Sequence, residues 1–140
     1  MYIVRDLAGV NSLLPRKASG SRYDYQATEI VDLDTIDSYC NRGGISHIDY
    51  LKVDVEGHDL NVLLGAQSML NQGLIRYIQF EYSSGWIDNR FYLFDAYNFL
   101  QDFAYKLYKI TSNGCIILDE YSEIEENFRL KNFLATRENL

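Results

Sequence analysis

Apolar and polar positions alternate along two stretches of the chain, and each stretch predicts a β-strand: residues 50–55 and residues 76–82. Between them, residues 58–71 carry leucines at helical spacing on one face, which predicts one amphipathic helix. Strand, helix and strand in this order form a right-handed βαβ unit with parallel strands. The nearly continuous apolar character of the first strand predicts burial on both of its faces.

Weaker patterns precede this unit. Residues 2–5 and 28–33 are predicted strands that could pair as a wide antiparallel hairpin. Asp34 is well placed to cap a short helix over residues 35–42, with Asp37 in the capping-box position. The basic loop at residues 9–22 could contact an anionic substrate or simply be a solvated connection.

Downstream of the unit, an amphipathic helix is predicted over residues 91–103. Asn113-Gly114 lies between two apolar runs and is a strong hairpin signal. The apolar residues of segment 119–140 predict that this segment docks back onto the domain.

Composition narrows the class of protein. The 140 residues suffice for one domain, and 20 acidic against 13 basic residues give a net charge of −7. This balance argues against a nucleic-acid partner, since phosphate binding favours a basic surface. No apolar run is long enough to span a membrane and the N-terminus does not resemble a signal peptide, so we expect a soluble, cytoplasmic protein.

Carboxylates gather where the two strands are predicted to end. Asp54 and Glu56 follow the first strand and Glu81 ends the second, at the edge where open α/β sheets bind ligands. Asp54 and Glu56 are the candidate catalytic residues, Glu56 as a general base. The alternatives are that Asp54 pairs with Lys52 and that Glu56 stabilises the next helix.

The remaining candidates are possible substrate contacts. His58, Glu81, Tyr82 and Trp86 could line the same cleft, although a histidine at a helix start and buried aromatic residues are often structural. Asp54, Glu56 and Glu81 also supply the oxygen ligands of a carboxylate-based metal hydrolase, a weaker alternative, and we predict no metal site.

The segment LKVDVEGHDLNVLLGA, residues 51–66, resembles the core motif of FkbM-type S-adenosylmethionine (SAM) dependent methyltransferases. Residues 33–37, 48–49, 78–81 and 132–135 resemble the flanking segments of that family. The resemblance implies a class I Rossmann-like methyltransferase fold with SAM as cofactor. It also implies that Asp54 faces the methionine end of SAM or the substrate.

The family fold orders its strands 3-2-1-4-5-7-6, with strand 7 antiparallel to the others. On this template the chain is the C-terminal half, strands 4-5-7-6, and the Asn113-Gly114 hairpin joins strands 6 and 7. The nine glycines include no G-x-G, so we expect the cofactor-binding half to lie before Met1. We therefore predict a single partial domain over residues 1–140: an N-terminal hairpin at 1–33, a βαβαββ core at 48–118 and a C-terminal segment at 119–140.

The function implied is SAM-dependent O-methyl transfer to a small-molecule or glycan hydroxyl, with this chain incomplete and inactive alone. The alternative is a non-enzymatic relative that acts as an association module. Without its strand 1 neighbour, the first strand of the βαβ unit would present an open sheet edge, which could form a homodimer.

Overall fold

A computed structural model describes residues 1–4, 9–17 and 23–140 of the chain. In this part of the chain, two sheets and five α-helices form one mixed α/β structure. The strands are β1 (Tyr2–Ile3), β2 (Ala27–Thr28), β3 (Ile48–Val53), β4 (Ile75–Tyr82), β5 (Lys106–Thr111), β6 (Gly114–Ile117) and β7 (Lys131–Thr136). The helices are α1 (Ile36–Gly43), α2 (Asp59–Leu64), α3 (Gln67–Asn71), α4 (Gly85–Asp88) and α5 (Leu93–Asp102), with a 3₁₀ turn at Glu123–Glu125.

The main sheet has the strand order β3-β4-β7-β5-β6. β3 and β4 pair in parallel, with Val53 opposite Phe80, which confirms the parallel pairing predicted for the βαβ unit. All other neighbours in this sheet are antiparallel. The Asn113-Gly114 hairpin is also confirmed, since β5 and β6 pair across it with Thr111 opposite Gly114.

The position of β7 corrects one prediction. The strand beside β4 was expected to be the second arm of the hairpin, but it is β7, from the C-terminal segment. β7 lies between β4 and β5 and buries Phe133, Ala135 and Thr136. The hairpin signal is local and fixes only the β5–β6 pairing. The position of β7 between β4 and β5 depends on packing between residues far apart in sequence.

One face of the sheet packs against the helices. Along β4, Ile78, Phe80 and Tyr82 are fully buried, whereas the alternate side chains of Gln79 and Glu81 are only partly covered. The core is completed by apolar residues of α2, α3 and α5: Leu60, Leu63, Met69, Leu70, Leu93, Ala96, Tyr97 and Leu100. Glu81 therefore lies on the face opposite the core, a position set by the two-residue period of a strand.

The predicted burial of β3 on both faces is wrong. Val53 is the one residue of β3 that is buried, and Tyr50 is 51% exposed. Among the described residues, β4 is the one strand hydrogen-bonded to β3, so β3 is an edge strand with one covered face. The edge position agrees with the open edge expected in the absence of a strand 1 neighbour, whereas the apolar pattern alone overestimated the burial of β3.

The single helix predicted over residues 58–71 is divided into α2 and α3, and Asp37 accounts for the break. The Asp37 amide donates to the carbonyl of Gly65, which a continuous helix would use internally. The Asp37 carboxylate then accepts hydrogen bonds from the amides of Ser68 (2.7 Å) and Met69 (3.0 Å). Asp37 thus caps α3 and not its own helix.

The N-terminal predictions are partly confirmed. β1 and β2 pair antiparallel, but the pairing covers two residues on each side, and residues 29–33 form no strand. Arg5 lies outside the described residues. The N-cap of α1 is Thr35, whose hydroxyl accepts from the Ser38 amide, and not Asp34 as predicted. Among the described residues, no helix is long and apolar enough to cross a membrane.

Candidate functional site

The carboxyl ends of β3 and β4 meet at one edge of the sheet, because the two strands are parallel. The turn at residues 54–57 leaves β3, and a loop that contains α4 leaves β4. Asp54 and Glu56 follow β3 at this edge and Glu81 lies near the end of β4, and the charges of Asp54 and Glu56 raise the pKa of Glu81.

Gly57 holds the turn against the loop after β4. Its φ of +99° suits glycine, and a Cβ built there would lie 2.5 Å from the carbonyl oxygen of Gly85. The preceding residue, Glu56, also has a positive φ of 56°. Because neither Gly57 nor Gly85 has a side chain, the backbones of the turn and of the α4 loop can lie in contact.

Asp59 connects the turn to the end of β4 from the buried side. Its side chain is fully buried. Oδ2 accepts a hydrogen bond from the Gly57 amide (3.2 Å) and Oδ1 one from the Glu81 amide (3.3 Å). Burial raises the pKa of Asp59 to about 6, against the opposing effect of these backbone donors. Sequence reasoning placed Asp59 only in the first helical turn, and no local signal shows that it reaches β4.

Glu81 is a second carboxyl group of this edge whose pKa is strongly raised. Partial burial, followed by the nearby charges of Asp54, Glu56 and Asp59, raises its pKa to about 7. A carboxyl group that titrates near neutral pH can accept a proton from a substrate and return it. The sequence predicted Glu81 as a substrate contact, and its pKa suits a base equally well.

Glu56 is paired with Arg16. An Nη1 of Arg16 lies 2.5 Å from Oε2 of Glu56, and Nη2 donates to the Ser84 hydroxyl (3.2 Å). The Arg16 side chain is only 9% exposed. Burial raises the pKa of Glu56 although Arg16 opposes the shift. The basic loop predicted at residues 9–22 therefore contributes to the site through Arg16, and its residues 18–22 lie outside the described part of the chain.

Asp54 and His58 flank the turn. Asp54 accepts a hydrogen bond from Nζ of Lys52 (2.6 Å) in a pair that is about half exposed, as the alternative interpretation of Asp54 predicted. His58 precedes α2, and its Nδ1 contacts the Asn61 amide group (3.2 Å). Its Nε2 is buried without a hydrogen-bond partner among the described residues. Burial lowers the pKa of His58, which favours the neutral ring.

Tyr82 and Trp86 lie in the core and not on an open surface. Both are fully buried, and their rings pack edge to face with centroids 5.3 Å apart. The Tyr82 hydroxyl donates to Glu126 (2.7 Å), and Nε1 of Trp86 donates to the carbonyl of Glu81 (2.9 Å). Their assignment as substrate contacts stays a prediction, and the contacts seen here are with the protein itself.

An open cleft of about 1050 Å³ borders the outer side of β3. Apolar side chains of β3, α1 and α2 form one wall, and the N-terminal segment forms the other. Val55 and His58 lie at the end of the cleft nearest the turn. No group of three metal-binding side chains occurs among residues 1–4, 9–17 and 23–140, so Asp54, Glu56 and Glu81 do not form the cluster that the metal-hydrolase alternative requires.

The five-stranded mixed sheet, with its acidic edge, is consistent with a methyltransferase-like fold. The sequence model of the methyltransferase FkbM domain matches residues 4–107, and the chain belongs to this family. The match includes the βαβ unit and every candidate residue of the site, whereas β6 and β7 lie beyond it. No curated protein and no solved structure matches the chain.

Members of this family use SAM, but the described residues do not fit a complete SAM site. A glycine-rich turn normally gives the cofactor close access to the backbone. Here the chain has no G-x-G, and the close approach at Gly57 is taken up by Gly85 of the same chain. The edge of β3 and β4 offers carboxyl groups that can accept a proton.

Replacing Gly57 by alanine tests the contact between the turn and the α4 loop. We expect Gly57→Ala to lower the free energy of unfolding by more than about 2 kcal/mol, because it combines a left-handed φ with a backbone clash. Gly44→Ala is the matched control, since Gly44 has a φ of +64° and open space around its Cβ position. This control should lose only about 1 kcal/mol. Urea unfolding of both variants measures the difference, and equal losses would show that the clash is absent.

Asp59 also predicts a pH dependence of stability. Its pKa is raised by folding, so its contribution is fully present below the unfolded pKa near 3.8 and is lost as pH rises through about 6. We expect wild type to lose on the order of 3 kcal/mol relative to Asp59→Asn between about pH 4 and pH 7. Urea titrations of both proteins across this range provide the measurement. A difference that is constant with pH, or that changes in the opposite direction, would refute the shift.

Proposed function

We propose that this domain takes part in SAM-dependent O-methyl transfer to a hydroxyl group of a small molecule or glycan, in the cytoplasm. The observation that carries the proposal is the carboxyl group of Glu81, whose pKa of about 7 occurs at the shared carboxyl end of β3 and β4. Family membership supplies the reaction type. The acidic edge supplies the reason for choosing oxygen as the acceptor atom.

Glu81 is the proposed base. A hydroxyl oxygen becomes a better nucleophile as its proton is removed, and a base is most effective when its pKa lies near the working pH. Glu56 was predicted for this role from the sequence, but Arg16 already occupies one of its oxygens. We therefore assign proton removal to Glu81 and assign Glu56 to orientation of the acceptor.

Asp54 and Lys52 form the more exposed part of the same edge. Their charged groups could hydrogen-bond neighbouring hydroxyl groups of a sugar or another polyol. His58, with an unpaired Nε2 among the described contacts, is proposed to face the acceptor from the other side of the turn. Tyr82 and Trp86 support the edge from the core, so the proposal gives them no direct substrate contact.

We further propose that this chain alone does not bind SAM measurably. The support is the absence of a G-x-G in the sequence and the close packing of Gly57 on Gly85. Isothermal titration calorimetry of the chain with SAM should give no binding heat. Micromolar binding would contradict this proposal while leaving the methyltransferase assignment intact.

The role of Glu81 is tested by methyl transfer. The assay follows S-adenosylhomocysteine formation with a panel of alcohols and monosaccharides, using the longest polypeptide that the gene encodes. Glu81→Gln should reduce kcat/KM about 10²–10⁴-fold and remove the rise of the rate near pH 7. Glu120→Gln, at an exposed position of the same charge type, is the control and should retain activity. Unchanged activity of Glu81→Gln would exclude Glu81 as the base.

The outer edge of β3 favours a second candidate function, an association module that forms a homodimer. In the described part of the chain β3 is hydrogen-bonded to β4 alone, and large apolar side chains nearby are exposed: Ile30 (98%), Leu33 (73%) and Tyr50 (51%). Unpaired strand edges readily pair with a second chain. Under this proposal the β3 edges of two copies pair with each other.

A proline on the outer edge distinguishes this candidate. The Ile48 amide bonds to Leu74, toward β4, so the next amide along β3, that of Asp49, points outward. Asp49→Pro should block pairing of the edge while leaving the β3–β4 bonds intact. Asp49→Ala, which removes the same carboxylate, should remain dimeric. Sedimentation velocity measures the mass of each protein, and a wild-type monomer at every concentration would contradict the association proposal.

A further inference from the structure

We infer that Asp59 is the positioning residue of this site, because its buried carboxylate fixes the backbone of Gly57 and of Glu81 and so sets how the turn and the base lie relative to each other. The relevance of this inference to catalysis rests on the proposed function. Its structural content does not.

Each oxygen of the Asp59 carboxylate accepts a hydrogen bond from a different backbone segment. Oδ2 accepts from the Gly57 amide, and Oδ1 accepts from the Glu81 amide. An ionised carboxylate only accepts hydrogen bonds, so it can hold two N–H groups at once. An amide side chain has one acceptor oxygen and would present a donor to the second N–H group.

The carbonyl groups of the same two residues are held as well. Nδ2 of Asn89 donates to the Gly57 carbonyl (2.9 Å), and Nε1 of Trp86 donates to the Glu81 carbonyl (2.9 Å). Gly57 and Glu81 are therefore each bound through both N–H and C=O. Asp59 provides one side of this frame, and the α4 region provides the other.

The burial of Trp86 fixes the position of its indole N–H donor. Its ring packs against Phe80 and Tyr82, so its Nε1 reaches the Glu81 carbonyl from a fixed position in the core. Asp59, Trp86 and Asn89 together form what we call the buried frame. None of the three needs to touch an acceptor to determine where Glu81 lies.

The pKa of Glu81 reports on the buried frame, because it depends on the charged groups nearby. Asp54, Glu56 and Asp59 all raise its pKa, while Lys52 and Arg16 are the cations of the same edge. Removing the charge of Asp59 should therefore lower the pKa of Glu81. Any loosening of the frame that admits water should lower it further.

Wild-type protein gives the first test. The amide proton shifts of Gly57 and Glu81, followed by NMR against pH, should change with one common midpoint near 6, the pKa of Asp59. A carboxylate that accepts from both amides shifts both protons as it ionises, so the two amides should share its midpoint. Two unrelated midpoints, or no change near pH 6, would overturn the inference without any substitution.

Variants give the second test. Asp59→Asn should abolish hydrogen-exchange protection of at least one of the two amides and lower the pKa of Glu81. Asp37→Asn is the matched control, because Asp37 also accepts from two backbone amides, away from the site. Asp37→Asn should leave the pKa of Glu81 unchanged. An unshifted Glu81 together with two protected amides in Asp59→Asn would contradict the inference.

Both readouts are independent of methyl transfer. If Glu81→Gln retains activity while the amides of Gly57 and Glu81 titrate together, the proposed base is wrong and the buried frame stands. If activity depends on Glu81 but the amides do not respond to Asp59, the positioning role fails alone. Should Asp59→Asn not fold, the wild-type titration decides.

Discussion

The carboxylate of Asp59 bonds to Gly57 in the turn after β3 and to Glu81 in β4, 22 residues beyond Asp59 along the chain, and the acidic edge depends on this contact. Burial disfavours its charge, and the raised pKa is the direct consequence. The backbone donors of Gly57 and Glu81 offset part of this cost. The same bonds place the turn beside the end of β4, so a locally unfavourable group stabilises the geometry of the whole edge.

The sheet then determines how each carboxyl group behaves. Asp59 faces the core, Glu81 lies half buried on the opposite face, and Asp54 reaches solvent beside Lys52. These three carboxyl groups therefore lie in three different environments. The partial burial of Glu81 and the negative charges near it raise its pKa to about 7. In a chain of the FkbM methyltransferase domain family, this group is the base that we propose for an acceptor hydroxyl.

Local patterns in the sequence were enough to predict the parallel β3–β4 unit and the β5–β6 hairpin, and the parallel pairing places the ends of β3 and β4 at one edge. Three features could not be predicted, because each joins residues far apart in sequence. β7 enters the middle of the sheet, Asp37 interrupts the helix after β3, and Asp59 bonds to β4. Hydrophobic periodicity identifies elements and faces, whereas these contacts depend on which elements become neighbours.

The ionisation of Glu81, followed in the wild-type protein by carbon-detected NMR of its side-chain carboxyl group, tests the acidic edge most directly. We expect a midpoint near pH 7, caused by partial burial and by the charges of Asp54, Glu56 and Asp59. A midpoint near 4.5, the ordinary value for glutamate, would show that Glu81 is solvated and isolated. In that case the edge of β3 and β4 would not be the site described here.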